Sequence, residues 1–231
     1  MLVVATREAG RNLAFRRWLP GDATIVEVPL TTTRYRSAGE VSAELALVGE
    51  SGPFATLVVT SSRASRYARA ALAVCAPDAP VWSVGPATTR SLAQRGVLVA
   101  GEAPSASAIA DALETGPVLQ LAARVTRGEL RERLARRGIA YRSIACYETV
   151  SAAPSAEARR LLARADAVVI GAPSAWAVAR DAVAPRAWVV VPGETTADAV
   201  RVDHDRVLVG WNETTGQRLA ELADERRSRG R

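Results

Sequence analysis

Val58-Val59-Thr60-Ser61-Ser62-Arg63-Ala64, followed by Val84-Gly85-Pro86-Ala87-Thr88-Thr89, is a pattern the chain states twice. Its second statement is Val168-Val169-Ile170-Gly171-Ala172-Pro173-Ser174-Ala175, followed by Val191-Pro192-Gly193-Glu194-Thr195-Thr196, roughly 110 residues further on. In each copy a short apolar run enters a turn of small and hydroxyl residues. A second apolar run then enters a Gly-x-x-Thr turn. Short apolar runs alternating with helical patterns mean parallel strands covered by helices on both faces. Two such repeats predict an α/β protein with two similar lobes. In open α/β sheets, ligands gather outside the carboxyl ends of the strands, which is where these turns fall. The expected product is a cleft lined by backbone N–H groups and hydroxyls, suited to anions.

The rest of the chain divides on the same rhythm. Strands are expected at Leu2–Ala5, Thr24–Val28, Leu57–Thr60, Val81–Val84, Val97–Ala100, Val118–Leu121, Ala167–Ile170, Trp188–Val191 and Val207–Val209. Helices are expected from Thr6 to about Leu19, from Arg63 to Val74 and from Thr126 to Arg137, with others between the remaining strands. Two segments stand apart: Pro29 to Ser37 is threonine-rich and extended, and Ile144 to Pro154 resembles it.

Composition excludes several chemistries. The 30 basic residues are all arginine. Without lysine there is no Schiff base, no pyridoxal lysine and no P-loop lysine. The one histidine, His204, lies in the polar run Asp203-His204-Asp205 and reads as a solvated loop residue. Cys75 and Cys146 lack CxxC spacing and read as two buried free thiols. No ligand-spaced cluster suggests a metal, GxGxxG is missing, and no serine-histidine pair offers a hydrolase. Neither a metal nor a cofactor is expected.

The formal net charge is +6, and the last seven residues, with four Arg and one Glu, supply half of it. Residues 224–231 read as a disordered basic tail. A mildly basic, all-arginine body suits an acidic small molecule, because guanidinium grips carboxylates bidentately. Nucleic acid is not expected, since no basic stripe carries interleaved aromatics. No run reaches the ~18 apolar residues of a membrane span, and the first residues lack the pattern of a secretory signal. A cytoplasmic monomer with no membrane partner is the expectation.

The candidate site residues each have a plain alternative. Gly85 to Thr88 and Gly193 to Thr196 open helices whose N–H groups favour a carboxylate or phosphate; alternatively Thr88 and Thr195 merely cap those helices. Thr60, Ser61, Ser62 and Ser174 follow buried strands and carry the same two readings. Arg7 and Arg127 occupy equivalent places after the first strand of each repeat, or are simply solvated. Tyr147, within Ala145–Val150 at the end of the second repeat's first βαβ unit, is either a functional phenol or a half-buried aromatic with its hydroxyl satisfied.

Taken in order, these pieces resemble the uroporphyrinogen-III synthase family over about Met1 to Leu222. The motifs are Thr6-Arg7, Thr60-Ser61, Val84-Gly85-Pro86-Ala87-Thr88, Arg127-x-x-Leu130-x-x-x-Leu134, Tyr147-Glu148-Thr149-Val150, Pro173-Ser174-Ala175 and Gly193-Glu194-Thr195-Thr196-Ala197. The sequence departs from the family pattern at Ser62, at Ala172 and at Ala122-Ala123. The resemblance implies segment-swapped lobes joined by two extended strands: residues 1–33 with 151–231, and 34–150. It implies a cofactor-free enzyme that closes hydroxymethylbilane, a linear tetrapyrrole with eight carboxylates, inverting ring D through azafulvene and spiro intermediates. Tyr147 would assist departure of the hydroxyl. Arg7, Thr60, Ser61, Ser62, Gly85, Thr88, Arg127, Ser174, Gly193, Thr195 and Thr196 would hold the substrate's arms. A non-catalytic tetrapyrrole-binding or regulatory protein of the same fold is the alternative.

Overall fold

Short apolar strands alternate with helices along the whole chain in a computed structural model, which describes residues 1–10, 12–19, 21–126 and 128–229. In chain order the elements are β1 (Leu2–Ala5), α1 (Leu13–Arg16), β2 (Thr24–Glu27), β3 (Thr31–Tyr35), α2 (Ala38–Gly49), β4 (Thr56–Val59), α3 (Ala68–Leu72), β5 (Val81–Val84) and α4 (Pro86–Ala93). They continue with β6 (Gly101–Ala103), α5 (Ala106–Ala112), β7 (Val118–Ala123), α6 (Glu129–Arg136), β8 (Tyr141–Ser151), α7 (Ala156–Arg164) and β9 (Ala167–Val169). The last are α8 (Pro173–Ala179), β10 (Trp188–Val191), α9 (Glu194–Arg201), β11 (Val207–Val209) and α10 (Glu213–Arg229).

One compact unit comprises Met1–Thr33 and Val150–Arg231. Its sheet runs β11-β10-β9-β1-β2, parallel throughout. The second unit is Arg34–Thr149. Its sheet runs β3-β8-β7-β4-β5-β6, with parallel pairing from β8 to β6. The first two strands of the chain therefore pair beside β9, and β7 and β8 pair beside β4. Strands β3 and β8, the threonine-rich segment and its counterpart, carry the chain from one unit to the other.

The central strands are apolar on both faces because both faces are covered. In β1, Val3 and Ala5 enter one core with Phe15 and Leu219, while Val4 enters the other with Leu162 and Trp176. In β4, Leu57 and Val59 pack with Tyr67 and Leu92, and Val58 packs on the opposite face with Leu130 and Leu134. The helices start where local chemistry allows. Ser37 and Glu40 form a reciprocal capping box on α2, and Ser105 and Ser155 accept from the N–H groups of Ala108 and Ala158, each satisfying an otherwise unpaired donor.

Several local expectations are corrected. The segment after β1 is helical only over Leu13–Arg16, and Thr6 does not cap it. Its buried hydroxyl donates to the Val169 carbonyl at 2.8 Å, tying β1 to β9. The segment from Arg63 opens as a 3-10 turn over Ala64–Tyr67 before α3. The strand expected at Val97–Ala100 lies at Gly101–Ala103 instead, where it pairs with Trp82–Val84. The expected tail is helical through Arg229 as the end of α10. The segment is rich in good helix formers, and Arg218 pairs with Glu221 and Glu225 along that helix; Gly230 and Arg231 lie outside the described residues. His204 is not solvated: it is 7% exposed, its Nε2 lies 2.8 Å from the Ala187 carbonyl, and its ring meets Trp176 edge-on.

Candidate functional site

In the unit built on β4, the turns at the carboxyl ends carry Thr60, Ser61, Ser62, Gly85 and Thr88. The first turn is held by its own hydroxyls. Thr60 Oγ1 donates to the Leu121 carbonyl at 3.3 Å. The Arg63 N–H donates to Ser61 Oγ at 3.2 Å, and Ser65 Oγ donates to the Ser62 carbonyl at 2.7 Å. These contacts fix the backbone at Thr60 to Ser62, all three half-buried, and use the hydroxyls of Thr60 and Ser61 to do so. Gly85 has φ +72, the left-handed region that glycine enters without strain, and α4 starts there with Pro86 in its first turn and no side-chain cap. Thr88 is buried and does not cap α4.

Tyr147 is set by an irregularity in β8. The register with β7 shifts between Ala122 and Ala123, so that Ala122 faces Ala145 but Ala123 faces Tyr147. Such a bulge re-aims the side chains that follow it. Tyr147 is 7% exposed, more buried than the sequence suggested. Its ring centroid lies 6.2 Å from that of Tyr35, and the Arg63 guanidinium sits 5.8 Å above it. Arg66 in turn lies 4.3 Å from the Tyr35 centroid. A cation over an aromatic face is attracted by the ring quadrupole, so the four side chains form one stack with Tyr147 inside it. The backbone is tied as well: the Arg124 N–H donates to the Tyr147 carbonyl at 2.7 Å, and Arg124 and Arg34 each pair with Glu148 at 3.3 Å.

In the other unit, Arg7 follows β1. Its guanidinium lies 4.3 Å from the Trp211 ring centroid, and its stem runs against Gly171, where a Cβ would come within 3.0 Å of Arg7 Cγ. Arg7 is therefore brought to the turn that follows β9. Ser174 and Thr195 are exposed near the starts of α8 and α9, while Thr196 is buried. Neither Ala172 nor Gly193 supplies a side-chain cap to those helices. Helix α8 opens on Pro173, which has no N–H, and the Thr196 N–H donates to the Gly193 carbonyl, which leaves Glu194 and Thr195 as the residues with uncapped N–H groups at the start of α9. Arg127 lies outside the described residues.

Sequence reading missed the companions of these residues. Tyr35 and Arg63 flank Tyr147, and Arg66 backs Tyr35, but they come from β3 and the segment after β4. Trp211, which underlies Arg7, comes from the turn after β11. The available signal was positional, since each sits at or just beyond the end of a strand. Gln120 was also missed, although a lone amide in the apolar run Val118-Leu119-Gln120-Leu121 marks a buried polar group that needs partners. Burial pushes the Cys75 thiol up to about 11 and the Cys146 thiol up to about 12; both cysteines are free and buried, which disfavours the reactive thiolate. Among the described residues no group of three or more His, Cys, Asp or Glu side chains could hold a metal ion, and no helix is long and apolar enough to cross a membrane.

Comparison with known proteins adds to this geometry. The family model described as uroporphyrinogen-III synthase HemD matches residues 21–221. No curated protein matches the chain significantly. Among solved structures, uroporphyrinogen-III synthetase from Helicobacter pylori is similar with a TM-score of 0.65 at 17% identity, covering 96% of this chain and 100% of that one. A mutant uroporphyrinogen III synthase from Thermus thermophilus gives 0.62 at 17% identity, covering 99% of this chain and 100% of its own. At such identity the structures speak for the fold, and the matched span of the family model speaks for descent: the chain belongs to the uroporphyrinogen-III synthase family.

Proposed function

We propose that this protein is an active uroporphyrinogen-III synthase, which cyclises hydroxymethylbilane with inversion of ring D and loss of water. The observation that carries the reading is Tyr147, held in a Tyr–Arg stack directly after a β-bulge. A phenol fixed in this way can donate a hydrogen bond to the terminal hydroxyl as it departs. Departure of that hydroxyl leaves an azafulvene cation, stabilised by the electron-rich pyrrole. The substituted carbon of ring D then attacks, giving a spiro intermediate, whose fragmentation and reclosure invert the ring. The pyrroles supply the electrons throughout. What the protein contributes is proximity and preorganised charge.

Substrate arms are assigned to the uncapped helix starts at Gly85 and Gly193, to Arg7, and to the hydroxyls of Thr60, Ser61, Ser62, Ser174 and Thr195. Buried Thr88 and Thr196 shape their turns rather than present a hydroxyl. Arginine is the natural partner of a carboxylate arm because its planar fork binds both oxygens. The substrate is proposed to react without cofactor or metal, on a monomeric protein.

The test mixes purified protein with freshly made hydroxymethylbilane and separates the isomers after oxidation. Formation of the type III isomer faster than spontaneous closure to type I supports the reading. Tight binding of the tetrapyrrole with only type I product would instead identify a binding protein of this family.

A further inference from the structure

A pocket of about 340 Å³ opens on the face of the six-stranded sheet opposite the Tyr147 core, among the carboxyl end of β4, β7, the start of α6 and Tyr141. Gln120 forms its floor. The residue is 3% exposed. The Tyr141 hydroxyl donates to Gln120 Oε1, and Gln120 Nε2 donates to Thr60 Oγ1 at 3.4 Å. Thr60 Oγ1 donates its own proton to the Leu121 carbonyl. Burial pushes the Tyr141 phenol up, so it stays a donor across the neutral range. With its oxygen so engaged, the amide turns its two N–H donors toward Thr60 and the pocket.

The rim continues this bias. Helix α6 begins at Gly128 in the left-handed region, φ +76, with no side-chain cap. The N–H groups of its first turn therefore lack intrahelical acceptors, and Gly128, Glu129, Leu130 and Arg131 line the pocket. Thr126 and Arg131 also line it. Among the described residues, the one carboxylate on the wall is Glu129. It offsets Arg131 in formal charge, so what remains is an excess of N–H and O–H donors over acceptors. The second N–H of a buried amide, the Thr126 hydroxyl, an uncapped helix start and a guanidinium are the partners a carboxylate requires.

We infer that this pocket is a carboxylate-binding site with Gln120 as its central donor and Tyr141 as the residue that positions it. It is large enough for an acetate- or propionate-sized group and too small for a tetrapyrrole. Its occupation by one arm of hydroxymethylbilane rests on the function proposed above; the carboxylate site itself does not.

The experiment titrates isotopically labelled full-length protein with sodium acetate, against sodium chloride at matched ionic strength, and follows the Gln120 side-chain amide and the Gly128 to Arg131 backbone amides by NMR. The expected result is saturable shifts with acetate only. Gln120→Leu, which keeps the volume and loses the donors, should weaken acetate binding about tenfold or more. Tyr141→Phe, which leaves the amide in place but unoriented, should weaken it less and guards against a folding defect in the first variant. Glu129→Gln should tighten binding. Absent saturable shifts, or equal affinity in Gln120→Leu, would overturn the site. In the synthase assay, Gln120→Leu should raise KM about tenfold with kcat within about twofold. An unchanged KM would overturn the arm assignment. A wild-type protein that makes no type III isomer would sink the proposed reaction, and the acetate titration would still decide the pocket.

Discussion

The two units make the same turn with different chemistry. After β4, Thr60 and Ser61 bind neighbouring backbone through their hydroxyls, and the Ser62 carbonyl accepts from the Ser65 hydroxyl. After β9, the equivalent place is Gly171-Ala172-Pro173, with no side-chain cap, and Arg7 lies along it. The second pair of turns agrees more closely. The Thr88 N–H donates to the Gly85 carbonyl at 3.0 Å, and the Thr196 N–H donates to the Gly193 carbonyl at 3.1 Å. Both threonines are buried. Yet Gly85 is left-handed at φ +72, whereas Gly193 is extended at φ −177, a conformation any residue adopts. A repeated sequence motif thus preserves the hydrogen bond that opens the helix and leaves the route into it free to differ. The units also differ in what lies beyond the turns. One places a tyrosine inside an arginine–tyrosine stack, and the other places an arginine over a tryptophan. On this account both units hold substrate arms, and the first adds the acid assistance.

The largest expected effect tests that division. Tyr147→Phe keeps the ring, and with it the stack on Tyr35 and Arg63, and removes one hydroxyl. Turnover at saturating substrate should fall about 10²-fold, the lower end for a positioned acid, with KM little changed. Arg7→Gln, in the other unit, should raise KM about tenfold and leave kcat nearly intact. A KM effect for Tyr147→Phe and a kcat effect for Arg7→Gln would reverse the assignment.

Next comes a steric test of how the last helix seats against the segment after α1. A Cβ at Gly216 in α10 would collide with the backbone carbonyl of Trp18 and crowd its Cβ. Backbone does not yield as a side-chain tip does, so Gly216→Ala should destabilise its unit by about 2–3 kcal/mol, typical of overpacking. Chemical denaturation with a fluorescence readout would measure it. Gly39→Ala, with open space around the new methyl, is the control and should not destabilise.

A smaller effect separates the adjacent threonines. Thr196 is buried and Thr195 exposed. Thr196→Ala should cost about 1 kcal/mol of stability, whereas Thr195→Ala should leave stability unchanged and weaken substrate affinity modestly by removing one arm contact. Equal and purely thermodynamic effects would remove Thr195 from the site.

The smallest effect concerns the thiols, both in the unit that carries Tyr147. Their folded values, about 11 for Cys75 and about 12 for Cys146, lie above the ordinary 9.0. The folded state therefore holds these protons more tightly than the unfolded state. That contribution to stability is complete below pH 9 and declines as pH rises toward 11–12. Native protein at about pH 8, below the ordinary thiol range, should resist alkylation, and denaturant should expose both thiols. Rapid labelling of native Cys146 would contradict its burial.

How far the chain could be read in advance follows from these particulars. Strands such as Trp188–Val191 and Val207–Val209 were plain, because a short apolar run bounded by turn residues has few alternatives. The α/β class followed from that alternation. Legibility failed where tertiary contacts overrode local signals. Thr6 looks like a cap, but the neighbouring β9 carbonyl takes its hydroxyl. Val97–Ala100 has the apolar content of a strand, but the edge pairing with β5 starts at Gly101. His204 sits in a polar run, but Trp176 and the Ala187 carbonyl enclose it. For the candidate site, the turn residues were legible because they end strands. The stack around Tyr147 was not, because Tyr35, Arg63 and Tyr147 meet only through sheet pairing and a bulge that no local pattern announces.

The central claim, that this chain directs ring closure with inversion, is tested most directly by the isomer ratio formed from hydroxymethylbilane. Purified protein should yield the type III isomer as the dominant product, at a rate proportional to protein concentration, with Tyr147→Phe reducing that rate about 10²-fold. A product that stays type I, formed at the spontaneous rate whatever the protein concentration, would contradict it.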